Sequence, residues 1–271
     1  RGGAGVAVAY ERLRTLPGAS DGTYRTISTR QFSASIPTYY GVDTFDGLVH
    51  AYPYRRHLFI ASAMYEPPIA NLNTGWHVFF DFPNKLDLNM FRLAGVKYVV
   101  SSKEIQNPEL KLIGSDPSTL ASGLGGALHG QVPLTPPAYY YELAGPTWPR
   151  VFAATEIRIS EHSITDQRFY DELKTIGLGS VLVAADDATP TLSGWTINPG
   201  LKILYRFTEA GVELDLGPGG GVILINQVHT PGWVAKCGGE TLPVVAVNGI
   251  MMALSVPEQC TRVTMHYDNL A

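Results

Sequence analysis

Gly221-Val222-Ile223-Leu224-Ile225, then Thr230-Pro231-Gly232-Trp233-Val234-Ala235, then Cys237-Gly238-Gly239, form the stretch whose reading decides the fold. A short apolar run is broken by Thr230-Pro231-Gly232, because Pro lacks an N–H donor and Gly admits positive φ, and it resumes at Trp233. Cys237-Gly238-Gly239 turns the chain again. Pro243 to Val247 and Ile250 to Val256 pair around Asn248-Gly249, and Asn-Gly between apolar runs is a strong hairpin signal. Thr261 to Tyr267 closes the set, with Val263, Met265 and Tyr267 alternating. Four or five antiparallel strands at this spacing predict a β-sandwich layer. Trp233 reads as a core anchor, since apolar strands flank it, and His229 as a surface residue at a strand end.

Upstream the grammar changes from strand and turn to helix, glycine and strand. Asn84 precedes a pattern in which Leu86, Met90, Leu93 and Ala94 share a helical face, and Gly95 stands where a left-handed cap ends a helix. Val96, Tyr98 and Val100 then alternate as a strand. The pattern returns where Thr165 can cap a helix carrying Phe169, Leu173 and Ile176; Gly177 ends it, and Val181 to Ala184 follow as a strand. Together these units suggest an α/β layer built from non-contiguous chain. Ser115 to Pro137, rich in Gly, Ser and Pro, reads as a long loop. The fold class expected is α+β: an α/β region over 1–190, loop-rich at 115–137, and an antiparallel β-sandwich, jelly-roll-like, over 191–271.

Composition bounds the function. A chain of 271 residues with 45% hydrophobic and 16% charged residues can bury a large core in one or two domains. The net charge of −4, with no basic cluster beyond Arg55-Arg56, argues against a nucleic-acid partner, which needs clustered Lys and Arg to neutralise phosphates. Even the apolar window Val244 to Val256 falls short of the roughly 18–20 continuous residues of a membrane helix, so it reads as a buried hairpin. The chain opens on Arg1 and its first residues lack the basic start and apolar centre of a secretory leader. It reads as a portion or a processed product of something longer.

Gly123 to Gly130 resembles a nucleotide loop only superficially. Such a loop must open a helix, and Pro133, Pro136 and Pro137 exclude a long one here. No cofactor is called for. The seven His are scattered, and none stands beside a Gly-x-Ser-x-Gly nucleophile elbow. The candidate site is the region Gly41 to Trp76, which holds Asp43, Asp46, His50, Tyr54, Arg55, Arg56, His57, Asn71, Asn73 and Trp76. Carboxylates and amides can bond sugar hydroxyls, and a pyranose face can lie on Tyr or Trp. A glycosidase pair would need two carboxyls about 5–9 Å apart. The plain alternative is a polar surface loop with a few aromatics tucked into the core. Cys237 and Cys260 sit at strand ends of one β-region, where they could form a disulfide or remain buried thiols. Neither has a His or second Cys at metal-ligand spacing.

Four segments in order carry a resemblance: Tyr24-Arg25-Thr26-Ile27-Ser28, Leu93-Ala94-Gly95-Val96-Lys97-Tyr98-Val99-Val100, Trp148-Pro149-Arg150-Val151-Phe152, and the Pro-Gly-Trp to Val-Asn-Gly run ending near Tyr267. Over residues 20 to 268 the chain resembles the end of the YfhO-like family of bacterial multi-spanning membrane proteins. The family often carries an Asp-Gly turn after the Trp strand where this chain has Cys237-Gly238-Gly239, so no role of that Asp carries over.

The resemblance implies a soluble extracytoplasmic region of a lipid-linked-sugar-dependent glycosyltransferase, tethered by its own transmembrane domain. The family's catalytic acid is expected near the first membrane helices, so this region would lack transferase activity and would bind or position a cell-envelope glycan. An extracytoplasmic setting implies a bonded Cys237–Cys260 pair. The alternative from another class is a secreted carbohydrate-binding or glycoside-hydrolysing β-sandwich protein.

Overall fold

In the computed structural model, residues 11–28, 45, 54–64, 87–117, 119–120, 134–135, 137–188, 192, 194–208 and 211–268 are described. The chain divides into two compact units, Arg1–His50 with Thr74–Trp148, and Ala51–Asn73 with Pro149–Ala271. The division falls between Trp148 and Pro149 rather than at 190, and the second unit takes in a piece of chain from before the first is complete. Short helices α1 (Tyr54–Phe59, continued by a π-helical stretch over Ile60–Met64), α2 (Leu88–Leu93) and α3 (Gln167–Leu173) stand among many strands. The class is α+β.

The first unit is organised by the helix-to-strand step at Gly95. Asp87, rather than Asn84, caps α2: its carboxylate accepts from the N–H groups of Asn89 at 2.9 Å and Met90 at 3.2 Å. Gly95, at φ 77°, ends the helix in the left-handed region that glycine enters without Cβ strain. The chain then runs straight into β2 (Val96–Ser101), which lies between β1 (Arg25–Ser28), parallel to it, and β6 (Ala138–Leu143), antiparallel. Strand β3 (Leu110–Asp116) completes the order β1-β2-β6-β3, and β4 (Thr119–Leu120) pairs with β5 (Leu134–Thr135). Val96, Tyr98, Val99 and Val100 are all buried, so this strand is covered on both faces and not on one. The buried Arg25 guanidinium donates to the Ala94 carbonyl at 2.9 Å, a partner that a charge withdrawn from water requires. The Gly-rich segment 123–130 lies outside the described residues.

The second unit is the sandwich read from the C-terminal stretch. One sheet runs β10 (Ile203–Thr208), β11 (Gly211–Leu216), β17 (Arg262–Tyr267), β13 (Trp233–Cys237), β14 (Glu240–Leu242), all antiparallel. The other runs β15 (Val245–Val247), β16 (Met251–Val256), β12 (Gly221–Ile225), β7 (Val151–Ala153), also antiparallel. Alternation decides which side chains face inward: Val212, Leu214 and Leu216 on β11 and Val263 and Met265 on β17 meet Ile223, Ile225, Met252 and Leu254 from the facing sheet. Each such Val, Leu or Ile is worth about 1.5–3 kcal/mol relative to leaving it in water. Strands β12 and β15 are buried at every position, which identifies that sheet as the middle layer. Cys237 and Cys260 are joined by a disulfide with a Cα–Cα distance of 6.1 Å, tying the end of β13 to the residue stretch that leads into β17.

The helix, glycine and strand units do not share a layer. That at 88–101 belongs to the first unit; the other, α3 and β9 (Ser180–Val183), belongs to the second, where β9 pairs in parallel with β8 (Glu156–Ile159). Asp166, one residue beyond Thr165, caps α3 through the Arg168 N–H at 3.0 Å. Gly179, at φ 90°, takes the left-handed position expected of Gly177, and a Cβ there would meet the Thr155 side chain at 2.8 Å.

The Asn248-Gly249 turn joins β15 to β16 as its sequence predicts, and does more. Asn248 is wholly buried at φ 50°, a conformation Asn tolerates better than most residues. Its backbone N–H donates to Leu182 O at 2.8 Å, its Oδ1 accepts from Leu182 N at 2.6 Å, and its Nδ2 donates to Ser180 O at 3.0 Å. The side chain thus takes the place of a neighbouring strand along β9. A turn residue is the pin between the sandwich and the β8–β9 pair.

Trp233 packs against the sandwich core but is only partly buried, with its ring set edge-on to Tyr267, directly opposite in register, at 5.7 Å and 66°. Trp233→Ala is therefore expected to cost about 2–3 kcal/mol, less than the ~3–5 of a fully buried large aromatic. Urea unfolding at unchanged m-value measures it. A loss below about 1 kcal/mol would show that the ring is not an anchor.

Candidate functional site

The Gly41 to Trp76 candidates divide between residues with described positions and residues without. Asp43, Asp46, His50, Asn71, Asn73 and Trp76 lie outside the described residues; Tyr54, Arg55, Arg56 and His57 form the first turn of α1. Tyr54 is 61% exposed, so its ring face is open to a ligand. Arg55 is turned to a different task. Its Nη1 donates to Asp187 Oδ2 at 2.7 Å and its Nη2 to Asp187 Oδ1, a fork-on-carboxylate pair that fixes both side chains. Arg56 is buried, 7% exposed. Neither guanidinium is a solvent-facing sugar clamp.

Several chain segments meet around that ion pair within the second unit. Helix α3 buries Phe169, Tyr170 and Leu173, and its Gln167 Nε2 donates to Ser62 O at 2.9 Å, holding the π-helical stretch that continues α1. Asp186, beside Asp187, accepts from the Ile164 N–H at 3.0 Å. Tyr170 and Leu173, with Phe59, close on Gly249, where an added Cβ would approach Phe59 to 3.3 Å and Tyr170 to 3.4 Å. His229 hangs from the next residue of the same turn, its backbone N–H donating to Ile250 O at 2.8 Å.

The polar atoms of this cluster are unusual. The Tyr170 hydroxyl and His229 Nδ1 are both withdrawn from water with no hydrogen-bond partner among the described residues. Burial pushes the Tyr170 phenol up, partly offset by Arg55. Burial also pushes the His229 imidazole below its usual value; Arg55 adds to that and Asp187 opposes it. His229, expected at the surface from its place at a strand end, is half-buried with its Nδ1 turned away from water. It and Asp187 carry no local signal: the Arg55–Asp187 pair spans 132 positions.

The first unit holds an open groove of about 440 Å³ lined by Glu104, Gln106, Asn107, Pro108, Leu112 and Tyr141, among others. Its polar rim is partly pre-bonded: Gln106 Nε2 donates to Glu104 Oε1 at 3.1 Å, Asn107 Oδ1 accepts from Glu109 N at 2.8 Å, and the Tyr141 hydroxyl accepts from Ile105 N at 2.7 Å. A carboxylate and planar amides beside Pro108 and Leu112 can bond hydroxyls. Nothing local in the sequence marks this groove, because Glu104 to Pro108 reads as an ordinary polar connection before β3.

Among the described residues, no group of three or more His, Cys, Asp or Glu is placed to hold a metal ion, and no helix is long and apolar enough to cross a membrane. Comparison with known proteins finds no matching family model, no matching curated protein and no matching solved structure.

Proposed function

We propose that this chain is a non-catalytic extracytoplasmic domain of a polytopic, YfhO-like membrane glycosyltransferase, which binds or positions a cell-envelope glycan beside its own transmembrane domain. The observation that carries the reading is the Cys237–Cys260 disulfide, since such bonds persist in compartments outside the reducing cytosol. The order of the four resembling segments supports the family. Two surfaces support sugar contact: the exposed Tyr54 ring and the groove at Glu104 to Leu112. Both are shallow, so few buried contacts offset the ordering of a bound oligosaccharide, and binding should be weak, with a Kd of about 1 mM.

Titration of the chain with cell-envelope oligosaccharides, followed by calorimetry and by product analysis, tests this. The expected result is weak binding, reduced by Tyr54→Ala or by Asn107→Ala, with no turnover. Turnover that Asp43→Asn or Asp46→Asn abolishes would replace this reading with the secreted hydrolase.

A further inference from the structure

The two edges of the five-stranded sheet are built differently. At one, β14 is three residues long and opens on Glu240, and a short, charged edge is a usual protection against pairing with another chain. At the other, β10 runs for six residues, Ile-Leu-Tyr-Arg-Phe-Thr, in unbroken register with β11. Among the described residues it has a strand on one side only, and it carries no Pro, no bulge and no inward charge. We propose that β10 is a dimerisation edge, which pairs antiparallel with β10 of a second copy of this chain and joins the two sheets across a two-fold axis.

Exposure singles out this strand. None of its six residues is buried, whereas β11 beside it buries every second one. Leu204, on the outer face, is 75% exposed, more than any other large hydrophobic among the described residues. Ile203, Tyr205 and Phe207 pack on the sandwich core from the inner face yet stay only partly buried, so the core ends at this edge without a rim. A strand laid alongside would extend that inner row with cross-strand neighbours.

A second copy fits because the register is self-complementary. A two-fold axis normal to the sheet keeps both cores on one side. Centred on Tyr205, it sets Tyr205 opposite its own copy, Ile203 opposite the partner's Phe207 and Leu204 opposite the partner's Arg206, so inner residues meet inner and outer meet outer. Centring on Arg206 would instead put two guanidinium groups directly opposite, which is unfavourable. Charge selects the same register. Arg206, bonded to Glu213 at 2.6 Å, is the one charge of the strand, and Asp215 flanks Leu204 from β11 with its side chain 72% exposed, 4.0 Å from Arg262 Nε. The partner's Arg206 can lay its stem along Leu204 and bring its head towards that carboxylate, twice by symmetry. A pair of six-residue strands covers less than the roughly 1,200–2,000 Å² of a standard interface, so a Kd of about 10–100 µM is expected.

Sedimentation of the chain from about 10 µM to about 1 mM, with amide hydrogen exchange over 203–208 at both ends of that range, tests the pairing. The expected result is a monomer–dimer equilibrium that stops at two, with protection over 203–208 rising severalfold with concentration. Leu204→Lys places a like charge opposite the partner's Arg206 and is expected to weaken the dimer about tenfold or more. Its monomer should keep the wild-type urea midpoint, because Leu204 is exposed. A monomer throughout the range, assembly that grows past two, or a dimer whose 203–208 amides ignore concentration overturns the proposal. So does a Leu204→Lys chain that dimerises as wild type does. Amides over 203–208 already fully protected in the monomer would mean that the chain covers this edge itself, and overturn it equally.

Discussion

Asn248→Ala is expected to destabilise the second unit by about 2–6 kcal/mol, because it leaves two buried backbone groups, Leu182 N–H and Ser180 C=O, without their partners at about 1–3 kcal/mol each. Alanine also fits the φ of 50° at this site less well than asparagine. Asn248→Gly separates the two effects: it relieves the backbone and still deletes both side-chain bonds, so a comparable loss in both variants assigns the cost to hydrogen bonding. Urea unfolding of wild type and both variants measures it. A loss under about 1 kcal/mol for Asn248→Ala would mean that the pin between the β15–β16 turn and β9 contributes little.

Reduction of the Cys237–Cys260 bond is expected to lower stability by about 3 kcal/mol in the loop-entropy model, since the bridge closes a loop of 23 positions in the unfolded chain. Unfolding curves with and without reductant, compared at equal m-value, give the difference directly. Reduction is the cleaner variant, because Cys260 is only 2% exposed and a serine hydroxyl there would add its own desolvation cost. Coincident curves for the oxidised and reduced protein would show that the bridge does not constrain the fold.

The two expectations were legible to different degrees. Strands β12, β13, β15, β16 and β17 follow from local alternation, from Pro and Gly punctuation and from Asn248-Gly249, all of which act over a few residues. Gly95 is equally local, since a left-handed cap needs no partner elsewhere. Helix starts moved by one to a few positions because Asn84, Thr165 and the observed caps Asp87 and Asp166 are chemically equivalent choices, and only packing selects among them. The division into units escaped local reading, because residues 51–73 join a unit whose remaining chain begins at Pro149. Assigning both helix, glycine and strand units to one layer failed for the same reason: the pattern names an element without naming its neighbour.

The site was the least legible part. Arg55 and Arg56 stand in the sequence as an exposed-looking basic pair, yet one forks onto Asp187 and the other is buried. His229 sits after a strand end, where histidines usually meet water, yet it is half-buried and its Nδ1 is withdrawn from solvent without a hydrogen-bond partner among the described residues. Tyr54 alone of the described candidates keeps the open face that sugar stacking asks for.

The proposed function has this chain working outside the cytoplasm, held by a membrane domain of the same polypeptide. Fractionation of the native protein in its own cells, followed by protease treatment of intact spheroplasts, is the decisive measurement of that proposal. An antibody to this chain is expected to follow the membrane fraction, and external protease to remove the epitope while the membrane stays sealed. Recovery of the epitope in a soluble fraction, or its protection until the membrane is broken, would contradict it.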